Sequence, residues 1–262
     1  MSNYLIYPFK TMRITQSYTG TTSHLPHTTG SPKDYPLDEG GKDGGRDGFY
    51  CPCDEMKIVR IYGVGNGGTN TMWIESTSKV VFANGASDIA TIQITHPTDS
   101  DLKRLKVGQK FKRGELICYE GTDGATGNHI HHSVGKGKFT GTGWTKNSKG
   151  KYVITTTNGT LKPEAAYAID TAFTKVVDKK GLGFKTLAEV KKKTETKKET
   201  YIVNTDKGVK LNCRKTASTK AAVVATLESG TKLTITETKT ADNLKWGKCS
   251  KGWVCLKYCK KA

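Results

Sequence analysis

The sequence predicts an all-β protein with mainly antiparallel sheets, arranged in two domains. Three observations support this fold class. Short runs rich in β-branched residues recur along the 262-residue chain, and each is bounded by glycine, asparagine, proline or aspartate. No long amphipathic helix is expected between them. A lysine-rich stretch with few apolar residues separates residues 201–262 from the rest of the chain.

The first domain is expected to span residues 1–184. Its strand candidates are residues 57–62, 71–76, 79–83, 91–96 and 115–120. Residues 163–173 predict a short helix, because Pro163 suits the first helical turn. Residues 185–200 are expected to form a solvated linker, since lysine dominates there and almost no apolar residue follows Val190.

Residues 201–262 are expected to form a second domain, a small SH3-like barrel. Strand candidates recur in it at intervals of roughly ten residues, as in other small barrels. The chain has a net charge of +18, and residues 191–262 contain 18 lysines and arginines against 6 acidic residues. Such an excess attracts polyanions, including anionic wall polymers. No nucleic-acid-binding signature accompanies it, so we expect no nucleic acid partner.

The chain lacks sequence signals for export and membrane insertion. Its N-terminus has no basic segment followed by a long apolar run, so we expect no signal peptide. No window approaches 18 consecutive apolar residues, so we expect no membrane-spanning helix. The seven cysteines lack the paired spacing of a structural zinc site, and we expect them to be free thiols.

Two histidines alternate in His129-Ile130-His131, within a predicted strand. Side chains two residues apart in a strand point to the same face. The two imidazoles can therefore bind one metal ion together, or one can bind it while the other handles protons. The preceding residues, 121–128, are rich in glycine, which lets a backbone approach a substrate closely.

Residues 126–131, Thr-Gly-Asn-His-Ile-His, resemble the signature of the M23 (lysostaphin-type) zinc metalloendopeptidases. Residues 107–117 resemble the tract that precedes this signature in the family. His96 ends a strand candidate at the position of the family's other active-site histidine. The resemblance implies that His131 is a zinc ligand, and that His96 and His129 orient water or stabilise the oxyanion. It also implies a second histidine ligand and an aspartate ligand.

The family spaces these two ligands as His-x3-Asp, and this sequence departs from that spacing. Asp38 lies where the family's aspartate belongs, but the residue four positions earlier is Asp34. The candidate histidines are His24 and His27, of which we favour His24, with an insertion of about ten residues before Asp38. Asp34 is a further candidate ligand, because it would share a strand face with Asp38. His132 should point to the opposite face and pack there.

Residues 211–219 resemble the opening of bacterial SH3 (SH3b) domains, and residues 227–233, 246–249 and 252–258 resemble later parts of that module. This resemblance implies binding to peptidoglycan or anionic wall polymers.

Together the two resemblances imply a peptidoglycan hydrolase, a zinc endopeptidase directed to the Gram-positive cell wall by its SH3b domain. They suggest a phage endolysin that is made in the host cytoplasm and reaches the wall after release by a holin. One alternative is a bacterial autolysin, which would need an export signal. The other is a non-catalytic wall-binding protein with a degenerate peptidase fold.

Overall fold

The structure is a computed structural model that describes residues 2–20, 23–40, 45–63, 69–156, 160–195 and 199–262. The described residues form 23 strands and four α-helices. The predicted all-β, mainly antiparallel class is confirmed. The chain divides into two compact units, Met1–Val190 and Lys191–Ala262. Within the described ranges, no helix is long and apolar enough to cross a membrane.

The first unit contains fifteen strands in its described part: β1 (Thr11–Gln16), β2 (Leu37–Glu39), β3 (Gly48–Tyr50), β4 (Glu55–Tyr62), β5 (Thr71–Ser76), β6 (Val80–Val81), β7 (Ser87–Asp88), β8 (Ala90–Thr95), β9 (Lys110–Lys112), β10 (Leu116–Tyr119), β11 (Ile130–Lys136), β12 (Phe139–Lys146), β13 (Tyr152–Thr156), β14 (Thr160–Leu161) and β15 (Lys175–Asp178). Its helices are α1 (Leu25–Thr29), α2 (Asp99–Lys103) and α3 (Pro163–Ala166). A fourth helix, α4 (Leu187–Glu195), begins in this unit and continues past its end.

One large sheet organises the first unit, with strand order β15-β1-β2-β11-β8-β5-β4-β9 and β14 beside β11. The neighbours are antiparallel except for β1 and β15. Ile58, Ile74, Ile92 and Val134 are successive cross-strand partners on β4, β5, β8 and β11. All four are buried in one hydrophobic core, so they define the core-facing side of the sheet.

The second unit contains the strands β16 (Glu199–Val203), β17 (Leu211–Arg214), β18 (Val223–Leu227), β19 (Lys232–Ile235), β20 (Glu237–Ala241), β21 (Leu244–Cys249), β22 (Gly252–Cys255) and β23 (Cys259–Lys261), with a 3₁₀ turn at Leu256–Tyr258. Two antiparallel sheets, β19-β16-β23 and β18-β17-β22-β21-β20, enclose one apolar core.

The seven cysteines of the chain are free thiols, and most of them are buried.

The predicted helix at residues 163–173 is shorter in the structure, where α3 ends at Ala166. Tyr167 turns to an extended conformation, and Ala168 pairs with Ile6 in a parallel bridge. The Ala168 carbonyl accepts a hydrogen bond from the Tyr7 amide. Backbone groups that would form hydrogen bonds within a longer helix therefore form them with the N-terminal segment instead. The strand predicted at 79–83 is likewise reduced to Val80–Val81.

The first half of the predicted linker, residues 185–200, also differs from the prediction. Ile169 pairs with Thr186, and α4 begins directly after it. The Thr186 hydroxyl accepts a hydrogen bond from the Glu189 amide, and the Glu189 carboxylate accepts one from the Thr186 amide. This is a capping box, which stabilises a helix start.

Two apolar residues explain why α4 packs against the first unit. Val190 is buried in a small cluster with Tyr4, Ala83 and Ala168, and Leu187 packs against the same cluster. These two side chains hold the first turn of the capped helix in place. Residues 196–198 of the predicted linker lie outside the described residues.

Candidate metal centre

A polar row crosses four adjacent strands of the large sheet. Asp38 on β2, His131 on β11, Thr95 on β8 and Thr71 on β5 are successive cross-strand partners. The Thr71 and Thr95 hydroxyls lie 3.3 Å apart. Because successive residues of a strand face opposite sides, this row lies on the other side of the sheet from the core isoleucines. The sheet therefore presents a carboxylate and an imidazole side by side, away from the core.

Three side chains converge on one point beside this row. The Asp38 Oδ1 lies 2.9 Å from His131 Nδ1 and 3.2 Å from His24 Nε2. The three atoms all lie within 4.8 Å of one another. Tetrahedral zinc ligands at their usual bond lengths are separated by about 3.3 Å. Two of the three separations in this cluster are therefore close to what a tetrahedral zinc site requires.

His24 reaches the cluster from the residue just before α1, and its side chain is buried. Its Nδ1 lies 3.1 Å from the carbonyl oxygen of Ser17. A carbonyl oxygen can only accept, so Nδ1 carries the proton and donates it to Ser17. The lone pair of a neutral His24 is then on Nε2, the nitrogen that faces Asp38. A backbone hydrogen bond on the second nitrogen is the usual support of a metal-binding histidine.

The electrostatics of the cluster favour an ionised Asp38. Burial opposes ionisation, but the imidazoles of His131 and His24, which donate hydrogen bonds to this carboxylate when they are protonated, outweigh burial and hold the pKa of the Asp38 carboxyl well below its usual range. Burial would by itself lower the pKa of His131. The hydrogen bond and charge of Asp38 outweigh this effect and raise it. Asp38 thus supplies a full negative charge where the three ligand atoms meet.

His96 and His129 form a second pair next to the cluster, with ring centroids 4.5 Å apart. His96 Nδ1 lies 2.7 Å from the Asp123 carbonyl oxygen, and His129 Nδ1 lies 2.9 Å from the Gly127 carbonyl oxygen. Each Nδ1 must therefore donate, which leaves Nε2 as the reactive nitrogen of a neutral ring. His129 Nε2 is 3.9 Å from Asp38 Oδ1. Burial, chiefly, lowers the pKa of His96 to about 4, which favours its neutral form.

The backbone of His96 is in an unusual conformation, with φ of 82°. Few non-glycine residues adopt positive φ, and such residues concentrate at functional sites. At the end of β8 this conformation turns the imidazole toward His129 and away from the direction that the strand would impose. The sequence placed His96 at the end of a strand, but strand periodicity could not predict this turn.

The structure also places the two alternative ligands that the sequence left open. His27 lies on α1 with its ring centroid 6.0 Å from that of His131 and 6.4 Å from that of His24. It is outside the group of converging ligand atoms found among the described residues. Asp34 is buried, and its carboxylate accepts hydrogen bonds from the amides of Tyr35 and Ile154. Asp34 is likewise outside that group. The ligand roles themselves stay predictions.

His132 points to the core side of the sheet, as expected. It is buried among aromatic rings, and its Nδ1 lies 3.3 Å from the Tyr167 hydroxyl. Burial, chiefly, lowers the pKa of this imidazole to about 3. A neutral, buried His132 is therefore part of the packing.

A cleft of about 360 Å³ opens beside the two histidine groups. His27, His96 and His131 line one part of it, and three exposed or half-buried aromatic residues, Tyr62, Trp144 and Tyr152, line another. These aromatic residues were not predicted from the sequence. Trp144 and Tyr152 lie on the hairpin β12–β13, whose glycine- and threonine-rich first strand carries no clear apolar alternation. The only local signal was an isolated tryptophan among residues with turn propensity.

Comparison with models of protein families finds no match, and comparison with curated proteins finds none either. The solved structures that are similar to the chain include two of lysostaphin. The NMR solution structure of lysostaphin is 16% identical, with a TM-score of 0.30, over 84% of this chain and 80% of that chain. The antimicrobial peptidase lysostaphin from Staphylococcus simulans is 14% identical, with a TM-score of 0.32, over 93% of this chain and 87% of that chain. TM-scores this low do not establish a common fold, so we infer function from the residues of this chain.

Proposed function

We propose that the protein is a zinc-dependent peptidase that hydrolyses peptide bonds in the peptidoglycan of Gram-positive bacteria. The observation that carries this proposal is the convergence of His24, Asp38 and His131 next to the pair His96 and His129. Three protein ligands beside a cleft are typical of a catalytic zinc site, which keeps one coordination position open. Structural zinc sites normally have four protein ligands and no open position.

The ligand atoms of His24, Asp38 and His131 are chemically suited to hold a cation. Because His24 donates its Nδ1 proton to Ser17, a neutral His24 turns a lone pair toward the ionised Asp38 carboxylate, 3.2 Å away. Two lone pairs at this separation repel each other unless a proton or a cation lies between them. Imidazole nitrogens and a carboxylate oxygen are ligands that zinc prefers. When bound, zinc would polarise a peptide carbonyl and lower the pKa of a nearby water.

His96 and His129 handle the protons in this proposal. Each presents Nε2, unprotonated in the neutral ring, because its Nδ1 is held by a backbone carbonyl. One imidazole accepts a proton from the attacking water as general base, and the same proton is later given to the leaving amine. The second imidazole, once protonated, donates a hydrogen bond to the developing oxyanion. Their ring separation of 4.5 Å lets both reach one substrate group.

The second unit is proposed to bind the cell wall. The sequence of residues 201–262 resembles an SH3b domain, and 18 of residues 191–262 are lysine or arginine. Anionic wall polymers would be attracted by this charge. Attachment to a polymeric substrate raises the effective concentration of the peptidase around its target bonds. We propose that the protein acts as a phage endolysin, which is made in the host cytoplasm and reaches the wall after release by a holin.

The test is mass spectrometry of purified Gram-positive peptidoglycan after digestion. The wild type is expected to create new amino termini, to stop after treatment with a chelator, and to resume when zinc is restored. His131→Ala should create none, while a melting curve shows that it is folded. New amino termini that persist in His131→Ala would refute the ligand role of this residue.

The alternative is a non-catalytic wall-binding protein with a degenerate peptidase fold, suggested by the absence of a His-x3-Asp pair in the sequence. That protein would bind peptidoglycan in a sedimentation assay but release no amino termini with or without zinc. A bacterial autolysin would give the same digestion products as an endolysin. Expression in a Gram-positive host separates these two, because lysis that requires a co-expressed holin fits only the endolysin.

A further inference from the structure

An aromatic wall borders the cleft beside the candidate metal centre. It consists of Tyr62 on β4 and of Trp144 and Tyr152 on the hairpin β12–β13. The Tyr62 and Trp144 ring centroids are 4.7 Å apart and nearly perpendicular, and Trp144 lies 5.6 Å from Tyr152. Behind them, the buried ring of Trp73 packs 4.9 Å from Trp144. The wall is therefore a packed unit and not a set of separate exposed rings.

The close approach of the hairpin to this wall depends on one glycine. Gly143 has φ of 85°, and a Cβ at this position would lie 2.5 Å from the Phe139 ring and 3.0 Å from the Trp73 ring. Only glycine fits without displacing these rings. The backbone of the hairpin is thus shaped to hold Trp144 against the strand that carries Arg60 and Tyr62.

Arg60 stands among three rings of this group. Its Cζ lies 5.5 Å from the Trp144 centroid, 5.8 Å from that of Trp73 and 6.0 Å from that of Tyr62. Cation–π contacts of this length partly offset the cost of removing a guanidinium from water. They also fix the orientation of the planar group, because the rings contact it from more than one side.

The guanidinium has no anionic partner among the described residues. Arg60 makes no hydrogen bond and no ion pair within the described ranges, and its Nε is buried without a partner. The side chain is half-buried and is not itself among the residues that line the cleft, but its Cζ lies within 6.0 Å of the centroids of two rings that do, Tyr62 and Trp144. An oriented arginine with unused donors is the arrangement that binds a carboxylate through two parallel hydrogen bonds.

The surroundings of the aromatic wall favour an anion as well. Among the described residues that line the cleft there is no carboxylate; threonine, glutamine, histidine and aromatic side chains make up this described surface. Lys146 lies over the Tyr152 ring, 5.2 Å from its centroid. Arg60 and Lys146 therefore place positive charge against the rings on the aromatic side of the cleft, whereas the Asp38 carboxylate lies against His131 on the histidine side.

We propose that Arg60 is a specificity-determining residue that binds a carboxylate of the substrate peptide against the aromatic wall. The proposal rests on the proposed peptidase function, and it narrows the substrate class to peptides with a free carboxylate near the cleaved bond. The rings of Tyr62 and Trp144 hold the guanidinium in place and exclude water from one side of the ion pair. Peptides with a carboxamide at that position should bind more weakly, because an amide brings no charge and only one acceptor oxygen.

The experiment compares several peptide probes on the full chain. One is a synthetic stem peptide of a Gram-positive wall with its carboxylates free, and the others are the same peptide with each carboxylate converted in turn to a carboxamide. Binding is followed by tryptophan fluorescence in the presence of a chelator, so that no turnover occurs. Cleavage of the same peptides is then measured with zinc as kcat/KM. Arg60→Met keeps the length of the apolar side chain and removes the charge, while Lys146→Met is the matched control next to the same rings.

For the wild type we expect about tenfold tighter binding of the free peptide than of one particular carboxamide. Arg60→Met should lose this preference and bind both probes alike, whereas Lys146→Met should keep it. Equal binding of all probes to the wild type, or no binding of any, would overturn the proposal. So would an equal weakening of all probes by Arg60→Met, which is the result expected of a packing residue. A binding preference without cleavage would instead refute the peptidase function and leave the role of Arg60 in place.

Discussion

The metal centre makes a specific prediction about two neighbouring histidines. His24→Gln is expected to abolish stabilisation of the protein by zinc, and His27→Gln is expected to preserve it. The reason is geometric: the His24 Nε2 lies 3.2 Å from Asp38 Oδ1, whereas the His27 ring is 6.4 Å from that of His24 and belongs to no converging ligand group in the described structure. Glutamine is close to histidine in reach but is a poor zinc ligand.

The size of the effect follows from ligand linkage. Zinc held at 100 times the dissociation constant of the wild type raises the free energy of unfolding by about 2.7 kcal/mol. For a unit of this size that corresponds to a rise in melting temperature of about 5–10 °C. Loss of a hydrogen bond that merely supports a ligand can weaken metal binding by up to about a hundredfold. Loss of the ligand itself should therefore weaken zinc binding by at least about this factor. At the same zinc concentration the increment then falls to about 0.4 kcal/mol, or about 1 °C.

The difference with and without zinc has to be measured for each variant separately. His24 is buried and donates a hydrogen bond to Ser17, so its substitution costs about 1 kcal/mol whether or not zinc is present. Differential scanning calorimetry at fixed zinc gives the increment, and elemental analysis of the dialysed protein gives the zinc content. Asp34→Asn serves as a second control and should retain both the zinc-dependent increment in stability and the zinc content of the wild type.

Two results would refute this reasoning. If His24→Gln kept the zinc increment and His27→Gln lost it, the ligand would be His27 and the orientation of α1 would have to differ from that described. If the wild type itself gained nothing from zinc, the cluster would be a hydrogen-bonded polar group and not a metal site.

Two further predictions concern buried polar groups and the start of α4. Glu120 is buried, neither of its carboxylate oxygens has a hydrogen-bond partner among the described residues, and burial chiefly raises its pKa to about 8 from an ordinary value of 4.5. The folded state therefore binds more protons than the unfolded state between these values, so the free energy of unfolding should fall as pH rises through this range, by up to about 5 kcal/mol. Glu120→Gln should flatten this dependence in urea unfolding at pH 5 and pH 8, and parallel pH profiles for the two proteins would contradict the assignment. Thr186→Ala removes the capping hydroxyl of α4 and should lower stability by about 1 kcal/mol, with faster amide exchange at residues 187–190; unchanged exchange there would show that the cap contributes nothing.

Four strands of the first unit could be predicted closely from the sequence. The predicted strand at 71–76 has the bounds of β5, and the predictions for β4, β8 and β10 differ by one or two residues at their ends. These strands pair with antiparallel neighbours and bury apolar residues on at least one face, so local alternation reflects the final environment. The short strands and the single-turn helices could not be predicted in this way. Their conformation depends on pairing with distant segments, as in the bridge between Ile6 and Ala168 that ends α3.

Some features of the candidate site could likewise be predicted from local sequence, whereas others depend on contacts between distant segments. The alternation of His129 and His131 is a local property, so the sequence could place both imidazoles on one face. The contact between His131 and Asp38 joins residues that are 93 positions apart, and it depends on the pairing of β11 with β2. Without the family resemblance, no local pattern would have selected Asp38. The aromatic wall and Arg60 were missed for the same reason, because Trp144 meets Arg60 only after the hairpin β12–β13 has folded back on β5.

The sequence gives least information about which ring nitrogen of each histidine contacts the backbone and which one faces the site. His24, His96 and His129 each donate Nδ1–H to a backbone carbonyl, at Ser17, Asp123 and Gly127. None of these three histidines lies within a strand, and His96 needs a positive φ to make its contact. His131, which does lie within a strand, turns Nδ1 to Asp38 instead. Irregular backbone therefore turns Nδ1 to a carbonyl oxygen in three imidazoles, while the regular sheet turns Nδ1 of the fourth to Asp38. In the proposed mechanism, this difference lets His24 and His131 hold zinc while His96 and His129 handle protons.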